Sequence, residues 1–289
     1  MKRILVPTDF SEQSENALKL ACQLAIKMDA EIELLHVLDS PDGDESSGLD
    51  DIIAGGGVSG GSDMNAIFFI KLVEKTRERL EEIINRSDMM GLQIIYKMKT
   101  GTPYKVIASE TENGKVDLII MGTSGTSNWE EAFVGSNAER VVRHSFCPVF
   151  TVRNKVDVFS INNIAYASDF KHNHKHLVEM LKEMAVVLSA KTHLVKINTP
   201  SEFQNDKINY AAMKSFAEES DFSNYECHVY NFEDEEDGII SFAEGNNMDM
   251  IVLATKGRTG FARLLEGSIA EDVVNYSKIP VLTFRTGNA

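Results

Sequence analysis

The sequence predicts an α/β protein made of two tandem domains built on parallel sheets. Its 289 residues are about twice the length of a common domain. Short apolar segments alternate with segments of helical periodicity, which is typical of βαβ units and a parallel sheet. The stretch 119–140 recurs at 251–272, at a spacing of 132 residues. This internal repeat indicates that the second half duplicates the first.

The first half contains five predicted strands that alternate with four predicted helices. The strands are expected at 3–8, 31–37, 92–98, 117–121 and 148–152. The helices are expected after Ser11, at 66–90, after the turn 101–103 and at 136–144. Ser11 is a suitable N-cap for the first helix, and Asn113 with Gly114 is a suitable end for the third.

The second half repeats this order with fewer residues between the matching motifs. Segment 163–168 with Asp169 matches segment 3–8 with Asp9 at an offset of 160, whereas the later glycine loops are offset by 132. The expected strands are 163–168, 192–197, 226–230, 249–253 and 280–284, with a helix at 208–219. With 153–160 as a linker, the domains are predicted at 1–153 and 160–286.

An excursion at 39–65 interrupts the first domain. Between 39 and 63 it is rich in Gly, Ser and Asp and has no periodicity. We expect a flexible surface segment. A lid over a bound ligand is the alternative, because long loops are often functional.

The glycine loop after the fourth strand has the features of a phosphate site. It carries Gly122, Gly125 and Gly135, and Ser136 opens the following helix. Glycines let backbone N–H groups approach an anion. A helix start adds unpaired N–H groups and the positive end of the helix dipole, and Ser136 is a suitable N-cap.

The second copy of the loop is similar but altered at its first position. Gly257, Gly267 and Ser268 repeat Gly125, Gly135 and Ser136, while Ala254 replaces Gly122. Tight turns without any ligand are the alternative interpretation of both loops, since many folds reuse such turns.

Composition excludes several functional classes. The net charge of −15 and the pI of about 4.9 argue against partners such as nucleic acid or an anionic membrane. No signal peptide and no transmembrane segment are predicted. The three cysteines, Cys22, Cys147 and Cys227, are expected to be reduced and mostly buried. These features predict a cytoplasmic protein.

No metal site is predicted from the sequence. His172, His174 and His176 suggest ligands, but a solvated helix start is favoured because no Cys or carboxylate at ligand spacing completes a site. The acidic run 233–237 is expected to be a solvated loop, with a cation site as the lesser alternative.

These motifs resemble the universal stress protein family in its tandem form. The resemblance rests on VPTDFSE after the first strand, on G-x2-G-x9-G-S from Gly122 to Ser136, and on the second copy. It implies two five-stranded sheets of order 3-2-1-4-5, with helices on both faces, that pair as an intrachain pseudo-dimer. It also implies that an adenine nucleotide, ATP or a related one, binds at the carboxyl ends of the strands. Whether Mg²⁺ accompanies the nucleotide is left open.

The resemblance carries a set of nucleotide-binding residues onto this chain. In the first half these are Pro7, Thr8, Asp9, Val37, Met121, Gly122, Gly125, Gly135, Ser136 and Asn137. The second-half candidates are Asp169, Ile197, Ala254, Gly257, Gly267, Ser268 and Ile269.

Both copies depart from the family pattern. The first loop carries Glu130 and Glu131 where members often have Arg, and the second has Ala254 and Ala167 but gains Lys256, Arg258 and Arg263. The first half keeps the better backbone geometry for a phosphate, whereas the second has the better electrostatics. The first half is the preferred site, and the second is also possible.

The function implied is a stress-responsive, ATP-binding regulator with an unknown protein partner and no catalytic residues. A nucleotide-free scaffold and a very slow ATPase or self-phosphorylating protein are the alternatives. Further homodimerisation is left open.

Overall fold

The computed structural model describes residues 1–38, 64–112, 115–123, 136–171, 175–256 and 269–286. Within these ranges the chain forms one ten-stranded sheet with eight α-helices on its two faces. Residues 39–63 of the excursion and residues 124–135 and 257–268 of the two glycine loops lie outside the described ranges, as do His172 and His174.

The elements follow the alternation expected from the sequence. The strands are β1 (Arg3–Pro7), β2 (Glu31–Leu38), β3 (Ile94–Thr100), β4 (Leu118–Gly122), β5 (Val149–Val152), β6 (Asn163–Ala167), β7 (Lys191–Asn198), β8 (Tyr225–Asn231), β9 (Met250–Lys256) and β10 (Val281–Thr286). The helices are α1 (Glu12–Met28), α2 (Met64–Ile84), α3 (Pro103–Thr111), α4 (Ser136–His144), α5 (Lys175–Leu188), α6 (Asp206–Glu219), α7 (Glu235–Gly245) and α8 (Ile269–Tyr276).

The two halves join edge to edge in the order β3-β2-β1-β4-β5-β10-β9-β6-β7-β8. Strands within each half are parallel, whereas β5 and β10 are antiparallel. Phe150 lies opposite Leu282, and these two residues are 132 apart in sequence. The junction therefore has a pseudo-two-fold centre, and the predicted fold class, two α/β domains paired within one chain, is confirmed.

A contact between two helices also joins the halves across the junction. Arg143 of α4 forms a bidentate ion pair with the buried carboxylate of Glu271 on α8, with an Nε–Oε1 distance of 2.9 Å and a second bond from Nη2 to Oε2. The hydrogen bond to Glu271 raises the pKa of Arg143 and outweighs the effect of its burial. The charge pair thus reinforces the main-chain pairing of β5 with β10.

The apolar core lies in two layers, one on each face of the sheet. Helices α1, α2, α5 and α6 cover one face, and α3, α4, α7 and α8 cover the other. The side chains of Ile4, Leu5 and Val6 are all fully buried, so β1 packs on both faces. This explains its uninterrupted apolar sequence, which is typical of central parallel strands.

Helix α2 differs from its prediction at both ends. It begins at Met64, inside the predicted excursion, and it ends at Ile84 instead of continuing to residue 90. A short 3-10 helix, Ser87–Met89, follows. Met89 is buried and its Sδ lies 3.3 Å from Sγ of Cys22. Because Met89 packs in the core, the helix ends before the predicted residue 90.

The acidic run 233–237 is not the loop that was predicted. Asp234 is the N-cap of α7 and accepts a hydrogen bond from the N–H of Asp237, while Glu235, Glu236 and Asp237 form the first helical turn. Carboxylates at this end interact favourably with the helix dipole. The sequence prediction failed because a run of acidic residues is also typical of a helix start.

The linker between the halves is part of the packed structure. Asp157 caps the 3-10 helix Val158–Ser160, and Val158 is fully buried. The N–H of Val158 donates to Oε1 of Gln23 on α1 over 2.9 Å. The connection is therefore anchored to the first half.

Candidate nucleotide site at the carboxyl ends of the strands

The candidate site of the first half lies where β1 and β4 end side by side. Ile4 pairs with Leu118 and Leu5 with Ile119, so Pro7 and Gly122 approach the same edge of the sheet. The chain leaves β1 toward α1 on one face, and the helix after β4 packs on the opposite face. Strand ends that diverge in this way form the crevice in which open α/β sheets bind ligands.

The loop after β1 is held in one conformation by its own polar groups. Thr8 donates its N–H to the carbonyl of Leu35 over 2.8 Å, and its Oγ1 accepts the N–H of Phe10 over 3.1 Å. Asp9 accepts the N–H of Ser11 over 3.0 Å. Phe10 has a φ of 64°, which turns the chain sharply. The conformation of this loop is therefore fixed by its own hydrogen bonds and does not depend on a ligand.

Asp9 presents an ionised carboxylate at the crevice. Partial burial acts to raise the pKa of Asp9, but hydrogen bonds from Ser11 and Ser14 outweigh burial and lower that pKa below its ordinary value. A carboxylate is an acceptor for hydroxyl groups such as those of a ribose.

Three predicted residues line the same face of the sheet. Side chains alternate between the two faces of a strand. Val37 and Met121 pack with Leu5 in the core on the α3 and α4 side, and Pro7, two residues from Leu5, points to this side as well. Thr8 and Asp9 follow Pro7 in the loop after β1, and Gly122 is the last residue of β4. The structure therefore brings together Pro7, Thr8, Asp9, Val37, Met121 and Gly122.

The start of α4 belongs to the described part of the predicted phosphate site. Ser136 is the first helical residue of α4, so it is not the residue before the helix, which an N-cap must be. Its N–H joins that of the exposed Asn137 among the four amides at a helix start that have no intrahelical acceptor. Gly125 and Gly135 lie outside the described residues.

Gly122 has a packing role that does not depend on a ligand. A Cβ at this position would lie 2.4 Å from the backbone carbonyl carbon of Gln13 and 2.5 Å from its oxygen. The first turn of α1 therefore packs directly on the end of β4. A glycine is needed for this backbone contact, whether or not a phosphate is present.

Gly122→Ala is expected to lower the free energy of unfolding by about 1–3 kcal/mol, because the added methyl group meets main-chain atoms that cannot turn aside. Urea denaturation of the full chain measures this change. Ala254→Gly at the equivalent position is the matched control and should cost only about 0.5–1 kcal/mol, the usual cost of glycine in a strand. An unchanged stability in Gly122→Ala would contradict the packing argument.

Three residues at this edge were not predicted from the sequence. The His36 ring lies 4.6 Å from the Phe10 ring, and its Nδ1 is 2.8 Å from the carbonyl oxygen of Thr8. The guanidinium of Arg79 covers the other side of the Phe10 ring at 4.3 Å. Burial lowers the pKa of His36, so its ring is neutral at pH 7. Adjacency to Asp9 and Val37 was the one signal in the sequence for Phe10 and His36.

The second half repeats the loop after its first strand. Asp169 accepts the N–H of Lys171 over 3.0 Å, Ser168 accepts that of Phe170 over 3.1 Å, and Phe170 has a φ of 54°. Ala254 packs against the apolar core, and Ile269 is exposed at the start of α8. Gly257, Gly267 and Ser268 lie outside the described residues.

The crevice of the second half differs in its charges. Lys196 takes the place of His36 and is almost fully buried, with Nζ 3.9 Å from Glu235 and 4.0 Å from Glu202. Burial raises the pKa of Glu235. Ile197 is buried against Gly238 of α7, where a Cβ would lie 2.7 Å from its Cγ2. This crevice therefore carries a buried lysine with two nearby carboxylates where the first half has His36.

The cysteines do not contribute reactive groups to either site. Cys22 and Cys147 are buried, Cys227 is partly buried, and all three are free thiols. Burial raises the pKa of Cys22 and of Cys147 to about 12. Since the thiolate is the reactive form, these two thiols are inert at neutral pH.

The sequence profile of the Universal stress protein family matches residues 1–153 and again residues 160–285. The chain belongs to the universal stress protein family. The two matches cover both halves of the ten-stranded sheet, so each half is one copy of the family domain.

Relatives include both single-domain and tandem members of the family. A universal stress protein of Methanocaldococcus jannaschii is 33% identical over 153 residues, which covers 53% of this chain and 82% of that protein. One of Synechocystis is 22% identical over 299 residues, covering 99% of this chain and 100% of that protein. The solved structure of a universal stress protein from Archaeoglobus fulgidus superposes with a TM-score of 0.76 at 22% identity, over 99% of this chain and 98% of that one. This last likeness concerns the fold.

Among the helices that the structure describes, none has the length and apolar composition required to cross a membrane.

Proposed function

We propose that the first half binds ATP, or a related adenine nucleotide, at the carboxyl ends of β1 and β4. In this proposal the nucleotide, with or without Mg²⁺, controls which surface the protein presents to a protein partner. The protein then acts in the cytoplasm as a stress-responsive regulator and has at most feeble hydrolytic activity. The domains are proposed to span 1–153 and 160–286.

One observation carries this proposal: a preformed loop, an ionised acceptor and a helix start meet at the switch point of the first sheet. Asp9 and the loop hydrogen bonds of Thr8 supply the fixed part. The N-terminus of α4 supplies amides and a positive dipole end for phosphates. In this proposal Asp9 accepts a hydrogen bond from the ribose, and the amides at the start of α4 donate to the phosphates.

Acidic charge on the helices near the strand ends favours the first half over the second. The loop sequences act the other way, because Glu130 and Glu131 lie in the first loop and Lys256 precedes the second. In the second half the first turn of α7 brings Glu235 near the strand ends, whereas the matching helix α3 begins with Pro103 and has no acidic residue in its first turn. A triphosphate is repelled by carboxylates. Ile197, which stands where the first half has Val37, also packs close to Gly238 of α7.

A nucleotide-free interaction scaffold is the second candidate. It is supported by the packing role of Gly122, because the contact with Gln13 accounts for a glycine without any phosphate. Under this alternative the crevice is a structural turn, and function lies on the outer surfaces.

Asp9→Ala is expected to weaken ATP binding by the full chain roughly 10–100-fold, since a hydrogen bond to a charged group contributes about 1.5–3 kcal/mol. Isothermal titration calorimetry with Mg-ATP measures this effect. Asp169→Ala is the matched control, because Asp169 makes the same turn hydrogen bond as Asp9 at the same 3.0 Å distance. The two variants therefore lose the same loop contact and differ only in the half that they affect.

We expect Asp169→Ala to retain the affinity of the unaltered protein. Equal weakening by both substitutions would place nucleotide in both halves, and loss in Asp169→Ala alone would place it in the second. No heat with saturating Mg-ATP, together with no bound nucleotide in freshly purified protein, would leave the scaffold as the function.

A further inference from the structure

A cluster of ligand-type side chains lies on β7 and β8, nearer the amino ends of these strands, whereas the proposed nucleotide crevice lies at carboxyl ends. It consists of His193, Glu226 and His228, and we refer to it as the His193 cluster. In the parallel register His193 pairs with Glu226, and Val195 with His228. Because strand side chains alternate, all three point to the face covered by α7. The amino ends of the strands lie at the opposite edge of the sheet from the crevice.

The three ligand atoms are already close together. Nδ1 of His193 lies 2.9 Å from Nε2 of His228, and Oε1 of Glu226 lies 4.0 Å from that same Nε2. All three ligand atoms fall within 4.8 Å of one another. Two imidazoles and one carboxylate are the donor set that zinc and related divalent transition metals bind in open sites.

A neighbouring side chain orients the inner histidine for this role. Nε2 of His193 lies 3.2 Å from Oδ1 of Asn163 on β6. Since an amide oxygen only accepts, the proton of His193 resides on Nε2, and Nδ1 carries the lone pair. A second hydrogen bond that fixes the ring and its tautomer is the usual support for a metal-bound histidine.

The charges around the cluster allow a cation to bind. Burial is the main cause that lowers the pKa of His193 and that of His228, and burial therefore opposes the protonation that competes with a metal ion. Lys191 is the one cation beside the cluster among the described contacts, and its Nζ binds Oε2 of Glu226 at 2.6 Å. Oε1 of Glu226 is left to face the rings.

Solvent can reach the cluster from one side. The side chain of Glu226 is 49% exposed and that of His228 is 24% exposed, while His193 lies beneath them. The His228 ring also packs against Phe242 of α7, with 5.1 Å between ring centroids. The inner wall is therefore rigid, and the outer carboxylate is free to adjust to an entering ion.

The first half carries different residues at the positions that match the His193 cluster. Glu33 and Lys97 occupy the places of His193 and His228, and Ile95 that of Glu226. Nζ of Lys97 lies 2.7 Å from the buried Oε1 of Glu33. The first half thus carries its own positive charge there, whereas the second half has neutral rings and a carboxylate.

We propose that the His193 cluster binds one divalent transition metal ion, of which zinc is the test case. The ion would lie between Nδ1 of His193 and Nε2 of His228 and replace the proton that they share. Glu226 would supply the third ligand through Oε1, and water the fourth. Metal–nitrogen distances of about 2.0–2.1 Å require the two rings to separate by only a few tenths of an ångström. Glu226 requires a side-chain rotation.

Isothermal titration of the metal-stripped, tag-free full chain with ZnCl₂ tests this proposal. We expect one zinc ion per chain and loss of that binding in His228→Asn, whose partly exposed ring can be replaced without disturbing the core. Replacing zinc by Co²⁺ should give a visible absorption band in the unaltered protein and none in the variant. The thermal midpoint should rise with zinc only in the protein that retains His228.

A triple variant, His172→Asn, His174→Asn and His176→Asn, is the control for the three closely spaced histidines and should bind zinc like the unaltered protein. Absence of zinc binding at any concentration up to millimolar would overturn the proposal. Zinc binding that survives in His228→Asn but vanishes in the triple variant would overturn it equally. Asp9→Ala should keep its zinc, so failure of this proposal is distinguishable from failure of the nucleotide proposal.

Discussion

Phe150→Ala is expected to lower the free energy of unfolding of the full chain by about 3–5 kcal/mol, the range for removing a buried aromatic ring. Phe150 is fully buried and lies opposite Leu282 at the centre of the junction between β5 and β10. Its loss leaves a cavity at the junction, where β5 and β10 join the two halves into one sheet. Denaturant unfolding followed by circular dichroism measures the change.

A double-mutant cycle separates a junction effect from simple loss of an apolar group. Leu282→Ala alone should cost about 2–5 kcal/mol. Together with Phe150→Ala it should cost less than the sum, by about 0.5–3 kcal/mol, because the two side chains are in contact. Leu34→Ala on β2 is the control, and its effect should add to that of Phe150→Ala. Simple additivity of Phe150→Ala and Leu282→Ala would show that the two halves do not stabilise each other at this point.

Lys97→Met is expected to destabilise the protein by about 2–3 kcal/mol, because it leaves the carboxylate of Glu33 buried with less opposing charge. Glu33 is 1% exposed, and its other cation, Arg3, lies 3.7 Å away. The value is set below the usual range for a broken buried pair because Lys97 is itself 38% exposed. Chemical denaturation at pH 7 provides the measurement.

The double variant Lys97→Met, Glu33→Leu serves as the control, and it should recover most of the loss because no buried charge remains. A loss as large in the double variant as in Lys97→Met would assign the effect to packing of the lysine stem.

The same ion-pair network should make stability depend on pH at both ends of the scale. Burial acts to raise the pKa of Glu110, but Lys99 and Lys97 lower it below 4.5. The stabilising contribution of Glu110 is therefore present above pH 4.5 and lost as the pH falls through its folded value. Burial acts to lower the pKa of Lys97, but the carboxylates of Glu33 and Glu110 outweigh burial and raise it above 10.5. The contribution of Lys97 is therefore lost as the pH rises through its folded pKa. Between these limits the difference between Lys97→Met and the unaltered protein should stay constant.

The architecture was predictable because its signals are local and repeated. The uninterrupted apolar run of β1, the capped start of α1 at Ser11 and the constant offset of the two glycine loops each require only neighbouring residues. Helix ends were less predictable. The end of α2 depends on Met89 entering a core that α1 builds. No feature within the sequence of α2 indicates that contact.

The candidate sites were predictable only where their residues follow a strand end. Asp9 and Gly122 were predicted in this way, whereas the packing reason for Gly122 lies in Gln13 of another element. The His193 cluster was missed because its histidines are 35 residues apart in sequence. Strand register alone makes them neighbours, and a register cannot be read from either strand by itself.

The antiparallel pairing of β5 with β10 has a consequence for how the protein behaves at low abundance. Two separate copies of a single domain joined along this edge would separate on dilution, and their stability would vary with concentration. Here both edges belong to one chain, so the junction forms at a fixed effective concentration that dilution cannot lower. A cell that makes only a few molecules of this protein would still hold every one of them fully assembled.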